Sequence, residues 1–306
     1  MLLRRPLWFV FALVVTLVAA GFLAAHTARS SRAHAATPNK SGIVLGVVGD
    51  VAQARKRTGQ NLAIHHYGYF EEARVEDGAM LTVRFKSRSW ASTASLQAGS
   101  TGHQQIVRYA DQIKARGDKI FVAFHAEPEA SAASQFGTPA EFKAAYRKVV
   151  SIFRARGATN AMFTWQMTSW AFRAGSDAHQ YAPRWYPGDA YVDVVGADPY
   201  NWYTCGHGLG RWNPLKQLVD PVLAFARQHG KQVALPEFAS MRHSKRPGWI
   251  REAGSYLAAN DDVVAAAFYF QHLPTNSANS DCTWPLSTDA DWSALRDVAS
   301  RAVFRP

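Results

Sequence analysis

Lys119-Ile120-Phe121-Val122-Ala123-Phe124, then Thr138-Pro139-Ala140-Glu141, then Asn160-Ala161-Met162-Phe163-Thr164-Trp165: these three pieces of one continuous region decide the fold. The outer two are near-continuous apolar runs, the pattern of parallel strands buried on both faces. The middle one is a capping box with proline at the first helical position. Phe142, Ala145, Tyr146, Val149 and Phe153 follow it at helical spacing, and Gly157 closes the helix. The unit reads strand, loop, helix, strand, and a helical crossover of that length joins parallel strands.

The unit repeats in both directions. Strands are expected at 43–48, 61–67, 80–85, 119–124, 160–165, 191–196, 232–235 and 264–270. Apolar stripes at Ile106, Tyr109, Ala110 and Ile113 and at Leu215, Leu218, Val219, Val222 and Leu223 mark two more helices, stopped by Gly117 and Gly230. Ile250, Ala253 and Leu257 suggest another, and Trp292, Leu295 and Ala299 a last one. The segment 70–78 is too short for a good helix, so one repeat is degenerate. Eight strands with intervening helices predict an α/β fold, a single-domain (β/α)8 TIM barrel. The links agree. Helix-to-strand links are short (117–118, 157–159, 230–231), whereas strand-to-helix links are long (166–190, 197–212, 271–288). In such barrels the site is built from the loops that follow the strands.

The first 36 residues read as a targeting segment. Arg4 and Arg5 precede an apolar run from about residue 7 to 25, and Ala33-His34-Ala35 has the small-x-small form of a cleavage site. The other reading is an uncleaved N-terminal membrane anchor. Residues 37–306 then form the barrel, outside the cytoplasm. The formal charge of +11 falls to +7 without the four arginines of the leader. The remaining positive residues are scattered, which argues against a nucleic-acid partner and leaves weak attraction to anionic cell walls. In an oxidising compartment Cys205 and Cys282 read as one disulfide. No HExxH spacing, phosphate-binding glycine loop or Gly-x-Ser-x-Gly elbow is present, and no cofactor or metal is expected. No exposed heptad is visible, so a monomer is expected.

Two glutamates stand where strands meet loops: Glu127, in Phe124-His125-Ala126-Glu127-Pro128-Glu129, and Glu237, in Leu235-Pro236-Glu237-Phe238. They follow the fourth and seventh strands, which face each other across a barrel mouth. Paired carboxylates so placed suit glycoside hydrolysis, one protonating the leaving oxygen and the other attacking or stabilising the sugar carbon. Glu129 is the rival acid. Trp90, Trp165, Trp170, Trp185, Trp202, Tyr203, Trp212 and Trp284 fall in or near loops or strand ends, where aromatic faces pack against sugar C–H faces. Trp165 and Trp202 are the best such platforms, and Arg84 and Gln166 are candidates for binding hydroxyls. His65 and His66 are neighbours on a strand and face opposite ways, which argues against one shared ion.

With Tyr186-Pro187-Gly188-Asp189-Ala190-Tyr191-Val192-Asp193 and Gly196-Ala197-Asp198-Pro199-Tyr200, these segments resemble glycoside hydrolase family 26 from about residue 42 onward. The resemblance implies a retaining (β/α)8 enzyme acting on a polysaccharide or oligosaccharide, usually β-1,4-mannan and in some members another β-glycan. It makes Glu127 the acid/base, Glu237 the nucleophile and Tyr200 the tyrosine that orients the nucleophile. Asp198 and His125 join Trp165, Trp202 and Arg84 as substrate-binding candidates. One position departs from the family. Ala126 stands where a histidine usually precedes the acid/base, and His125 lies one residue earlier.

Overall fold

The computed structural model describes residues 42–273 and 281–305; the expected leader, residues 1–36, lies outside them. Eight parallel strands form the barrel: β1 (Ile43–Val48), β2 (Ala63–Tyr69), β3 (Met80–Arg84), β4 (Ile120–Phe124), β5 (Ala161–Thr168), β6 (Val194–Asp198), β7 (Gln232–Ser240) and β8 (Val264–Phe270). Each pairs with the next, and β8 returns to β1, with Leu45 opposite Ala267, so the sheet closes. Two-residue strands at Tyr200–Asn201 and Phe304–Arg305 add to its margins.

Among the described residues seven α-helices pack outside: α1 (Val51–Thr58), α2 (Trp90–Ala94), α3 (Thr101–Arg116), α4 (Pro139–Ala155), α5 (Leu215–Gln228), α6 (Arg246–Ala258) and α7 (Asp289–Ala299). The expected capping box opens α4, with Thr138 and Glu141 each accepting the other's backbone N–H. Gly117 ends α3 at φ 78°, a left-handed conformation that suits glycine. As expected, no α-helix joins β2 to β3.

Strand alternation splits the core in two. Inward residues such as Ala63, Met80, Ala123, Val194, Ala234 and Ala266 fill the barrel. Outward residues such as Val122 and Phe124 pack under Phe142 and Tyr146 of α4. Glycine at position 46 is required by the close approach of β2 and β8. A Cβ there would lie 2.5 Å from the Ala63 carbonyl oxygen and 2.6 Å from the Phe268 ring.

The Cys205–Cys282 disulfide forms as expected and ties the loop after β6 to the loop after β8. Three boundaries differ from the sequence reading by three residues or more. β5 runs three residues past Trp165, to Thr168, and β7 runs on to Ser240. β6 begins at Val194, because 188–191 is a turn in which the Tyr191 N–H donates to the Gly188 carbonyl at 2.9 Å.

Candidate active site

Both glutamates are aimed by local distortions of their strands. On β7, Leu235 pairs with Ala267 and Phe238 with Tyr269, so three steps on β7 match two on β8. The extra residue is a bulge at Pro236-Glu237, where proline has already removed one ladder donor, and bulges re-aim side chains. At the end of β4, His125 and Glu127 take φ of 62° and 46°. Each left-handed non-glycine residue costs about 1–3 kcal/mol, and such strain clusters at functional sites. The first twist sends the His125 ring outward and the second brings Glu127 into the mouth.

The mouth holds a cleft of about 1040 Å³ whose lining includes Glu127, Glu237, Asp198, Tyr67, Tyr200 and Trp202. The two tyrosine hydroxyls donate to the two oxygens of Glu237, Tyr67 to Oε1 and Tyr200 to Oε2. Burial raises the Glu237 carboxyl above its ordinary value, and these two donors pull it back down. Glu127 receives no such help. Burial raises it well above the carboxylate range, and the charges of Glu237 and Glu129 raise it further. The pair is thus pushed apart, Glu127 held as the acid and Glu237 first to ionise, the pattern of an acid and a nucleophile sharing one site.

Beneath Glu237 lies a buried polar chain. The Pro236 carbonyl accepts from His65 Nδ1 at 2.9 Å, and His65 Nε2 meets the Thr82 hydroxyl at 2.9 Å. Thr82 meets the Gln166 amide at 2.7 Å, and Gln166 meets Asp198 Oδ2 at 2.8 Å. Asp198 Oδ1 accepts the backbone N–H of Glu237 at 3.0 Å. Thr82 has a single hydroxyl proton and cannot donate to both His65 and Gln166. The chain therefore needs one proton more than neutral His65 and ionised Asp198 supply. That proton sits either on His65, as imidazolium, or on Asp198, with the Gln166 amide turned over. Burial pulls His65 down to about 3, and burial with the Glu237 and Glu127 charges raises Asp198 well above its ordinary value. Both directions favour Asp198 over His65 as the holder of that proton.

The structure brings Glu127, Glu237, Tyr200, Asp198 and Trp202 together in the cleft, and three expected substrate contacts do not reach it. Trp165 is fully buried, packed against Phe172, Tyr186 and Phe225. Because β5 runs on to Thr168, Trp165 is mid-strand and points outward, so it is core rather than a sugar platform. His125 is also buried, edge-on to Trp90 and Phe136. Arg84 lies behind the cleft residue Tyr69, its guanidinium 4.9 Å from the ring centre, and donates to the carbonyls of Phe85 and Lys86. Glu129, the rival acid, is 1 % exposed and spends Oε1 on the N–H and hydroxyl of Thr168. Trp90 and Trp185 are core as well, whereas Trp170 and Trp284 line the cleft. Among the described residues no cluster of three His, Cys, Asp or Glu is arranged to hold a metal ion.

Sequence reasoning missed Tyr67, His65 and Thr82. Their signal was the period of two, since Ala63, His65 and Tyr67 share the inward face of β2. Tyr67→Phe should move the acid limb of the kcat/KM profile to higher pH. A carboxylate that attacks must be ionised, so activity that rests on Glu237 in that role falls as pH drops through its pKa, and losing a donor to the carboxylate raises that pKa. An unmoved limb in a pH–rate measurement contradicts the contact.

Residues 130–254 match the family model described as Glycosyl hydrolase family 26. The matched stretch contains Tyr200 and Glu237 and begins just after Glu127. Endoglucanase H of Acetivibrio thermocellus is 25% identical over 249 residues, covering 78% of this chain and 26% of that protein. The chain thus spans about a quarter of the curated relative it matches. A Cellulomonas fimi endo-β-1,4-mannanase double mutant superposes with a TM-score of 0.58 at 18% identity, over 86% of this chain and 72% of the other. The GH26 domain of a Prevotella bryantii endo-β-mannanase/endo-β-glucanase gives 0.55 at 16% identity, over 87% and 90%. At these identities the structures establish the barrel.

Proposed function

From the kinship of this chain with glycosyl hydrolase family 26, we propose that it is an exported, retaining endo-β-glycosidase acting on a β-1,4-linked polysaccharide of the mannan type. The observation that carries the reading is the carboxyl pair, set in one cleft and pushed apart in acidity by burial on one side and two phenol donors on the other.

Glu127 protonates the glycosidic oxygen as Glu237 attacks the anomeric carbon from the opposite face. The aglycone leaves and a covalent glycosyl-enzyme forms with inversion. Glu127, now a carboxylate, takes a proton from water, which attacks the same carbon and releases Glu237 with a second inversion. The net result is retention, and this route needs carboxyl groups roughly 5–5.5 Å apart. Tyr67 and Tyr200 hold the attacking carboxylate in line, and Asp198 fixes its backbone. Trp202, tilted against Tyr200 and edge-on to Trp284, offers a sugar-ring face beside the reacting centre.

Export is supported by the Cys205–Cys282 disulfide, because such bonds persist in oxidising compartments. A second reading keeps the chemistry and changes the polymer to β-glucan, and the Endoglucanase H relative favours it.

The test is release of reducing sugar by the purified chain from glucomannan, galactomannan, mixed-linkage glucan and xylan, with the product anomer followed by NMR. Cleavage giving first the β-anomer is expected. First appearance of the α-anomer contradicts the covalent route, and cleavage of mixed-linkage glucan alone selects the second reading.

A further inference from the structure

We infer that the glycan bound in this cleft carries carboxylates: a uronate-bearing β-glycan, read by Arg173 beside Trp170 and by Arg211 on the loop that Trp202 begins. The inference rests on the glycosidase reading and gives it a narrower substrate class.

Trp170 and Arg173 belong to one 3₁₀ turn, Ser169–Arg173, that follows β5. Side chains three apart on such a turn eclipse, so both stand on one face, and both line the cleft. Both are exposed, Trp170 at 40 %. An apolar ring face beside a guanidinium suits a sugar ring that bears an acid. The ring takes the C–H face, and the planar fork takes a carboxylate through two parallel hydrogen bonds.

Arg211 is presented by the loop that Trp202 begins. The Cys205 N–H donates to Trp202 at 3.0 Å, that of Gly208 to Cys205 at 3.0 Å and that of Gly210 to Tyr203 at 2.8 Å. Tyr203 and Arg211 form an antiparallel bridge across the loop. At Gly208 a Cβ would lie 2.1 Å from the Tyr203 carbonyl oxygen, so the close turn requires glycine. The disulfide at Cys205 anchors the whole. A loop bound this tightly holds Arg211 at the cleft wall with little ordering left to do on binding.

Neither guanidinium has a hydrogen bond or ion pair with any described residue, whereas Arg156, Arg246 and Arg251 each hold an aspartate. Among the described residues that line the cleft, the acids are Glu127, Asp198 and Glu237, and with them stand Arg173, Arg211, His207 and His272. The positive charge of the chain adds long-range attraction. A neutral polymer would leave both cations unanswered.

The experiment pairs a panel of β-linked polysaccharides bearing glucuronate or mannuronate with the same polymers after chemical reduction of their carboxyl groups. Cleavage is measured with the full chain and binding with its Glu237→Ala form, at low and high salt. The acidic form should bind and be cut at least about tenfold better, with the difference shrinking as salt rises. Arg173→Gln and Arg211→Gln should each reduce that preference about tenfold, the scale of one charge-assisted contact. A preference for the reduced polymers overturns the inference, as does binding to none of the acidic ones. So does an acidic preference that survives both substitutions. Arginine-dependent binding without cleavage would leave the inference standing and sink the glycosidase reading. Cleavage of neutral polymers alone would do the reverse.

Discussion

Glu237→Ala should abolish turnover of any polymer this chain cleaves, with a loss on the order of 10⁴-fold or more, as when a covalent nucleophile is removed from a catalytic set that acts as a unit. The fold should survive. Burial disfavours the ionised form of this carboxyl and raises it above its ordinary value. A carboxyl whose folded pKa is raised is less stabilising, or more costly, once pH rises past its unfolded pKa and towards the folded one. Removing it should therefore leave the melting temperature at pH 7 equal to the parent's or above it. The vacated space lies between the hydroxyls of Tyr67 and Tyr200, which would face a small anion instead of the carboxylate. Azide supplied at high concentration should enter there and attack an activated aryl β-glycoside from the face Glu237 used. The product is then an α-glycosyl azide, visible by NMR. A β-glycosyl azide would mean that the attacking group sits elsewhere, and unchanged polymer hydrolysis would remove Glu237 from the chemistry.

The barrel was legible because its signals are local and repeated. Thr138 to Glu141 caps α4 as its pattern says, Gly117 and Gly230 stop helices, and each apolar run of barrel length became a strand. The two glutamates were legible for a related reason, since a strand end opposite a strand end is fixed by topology. What failed was side-chain direction near those ends. Trp165 was placed at a strand end, but β5 runs three residues further, and one residue of phase decides whether a side chain meets the cleft or the helices. His125 depended on a left-handed residue that composition does not announce. Tyr67 and His65 needed pairing information. Their role comes from lying across the barrel from Pro236 and Glu237, residues 171 and 170 positions away.

Glu127→Gln separates the acid from every other carboxyl nearby. General acid–base catalysis contributes about 10²- to 10⁴-fold, so hydrolysis of polymer, whose leaving alcohol needs a proton, should fall by that amount. An aryl glycoside with a strongly acidic phenol leaves without help. Its first step should proceed nearly at the parental rate and show a burst, because the second step then lacks its base. Equal loss on both substrates would reject the assignment. The pH profile gives an independent reading. As the proposed acid, Glu127 works protonated, and its carboxyl is raised well above the ordinary carboxylate range, by burial first and by the Glu237 and Glu129 charges after it. Activity of the parent therefore falls as pH rises through that pKa, and in Glu127→Gln this alkaline limb should vanish. Glu129→Gln is the matched control for the rival acid. Glu129 is pushed up to about 7 by burial, and near neutral pH it carries enough charge to help raise Glu127. Without that charge the limb should remain and move to lower pH. If Glu129 were the acid instead, its own substitution would erase the limb and that of Glu127 would merely move it.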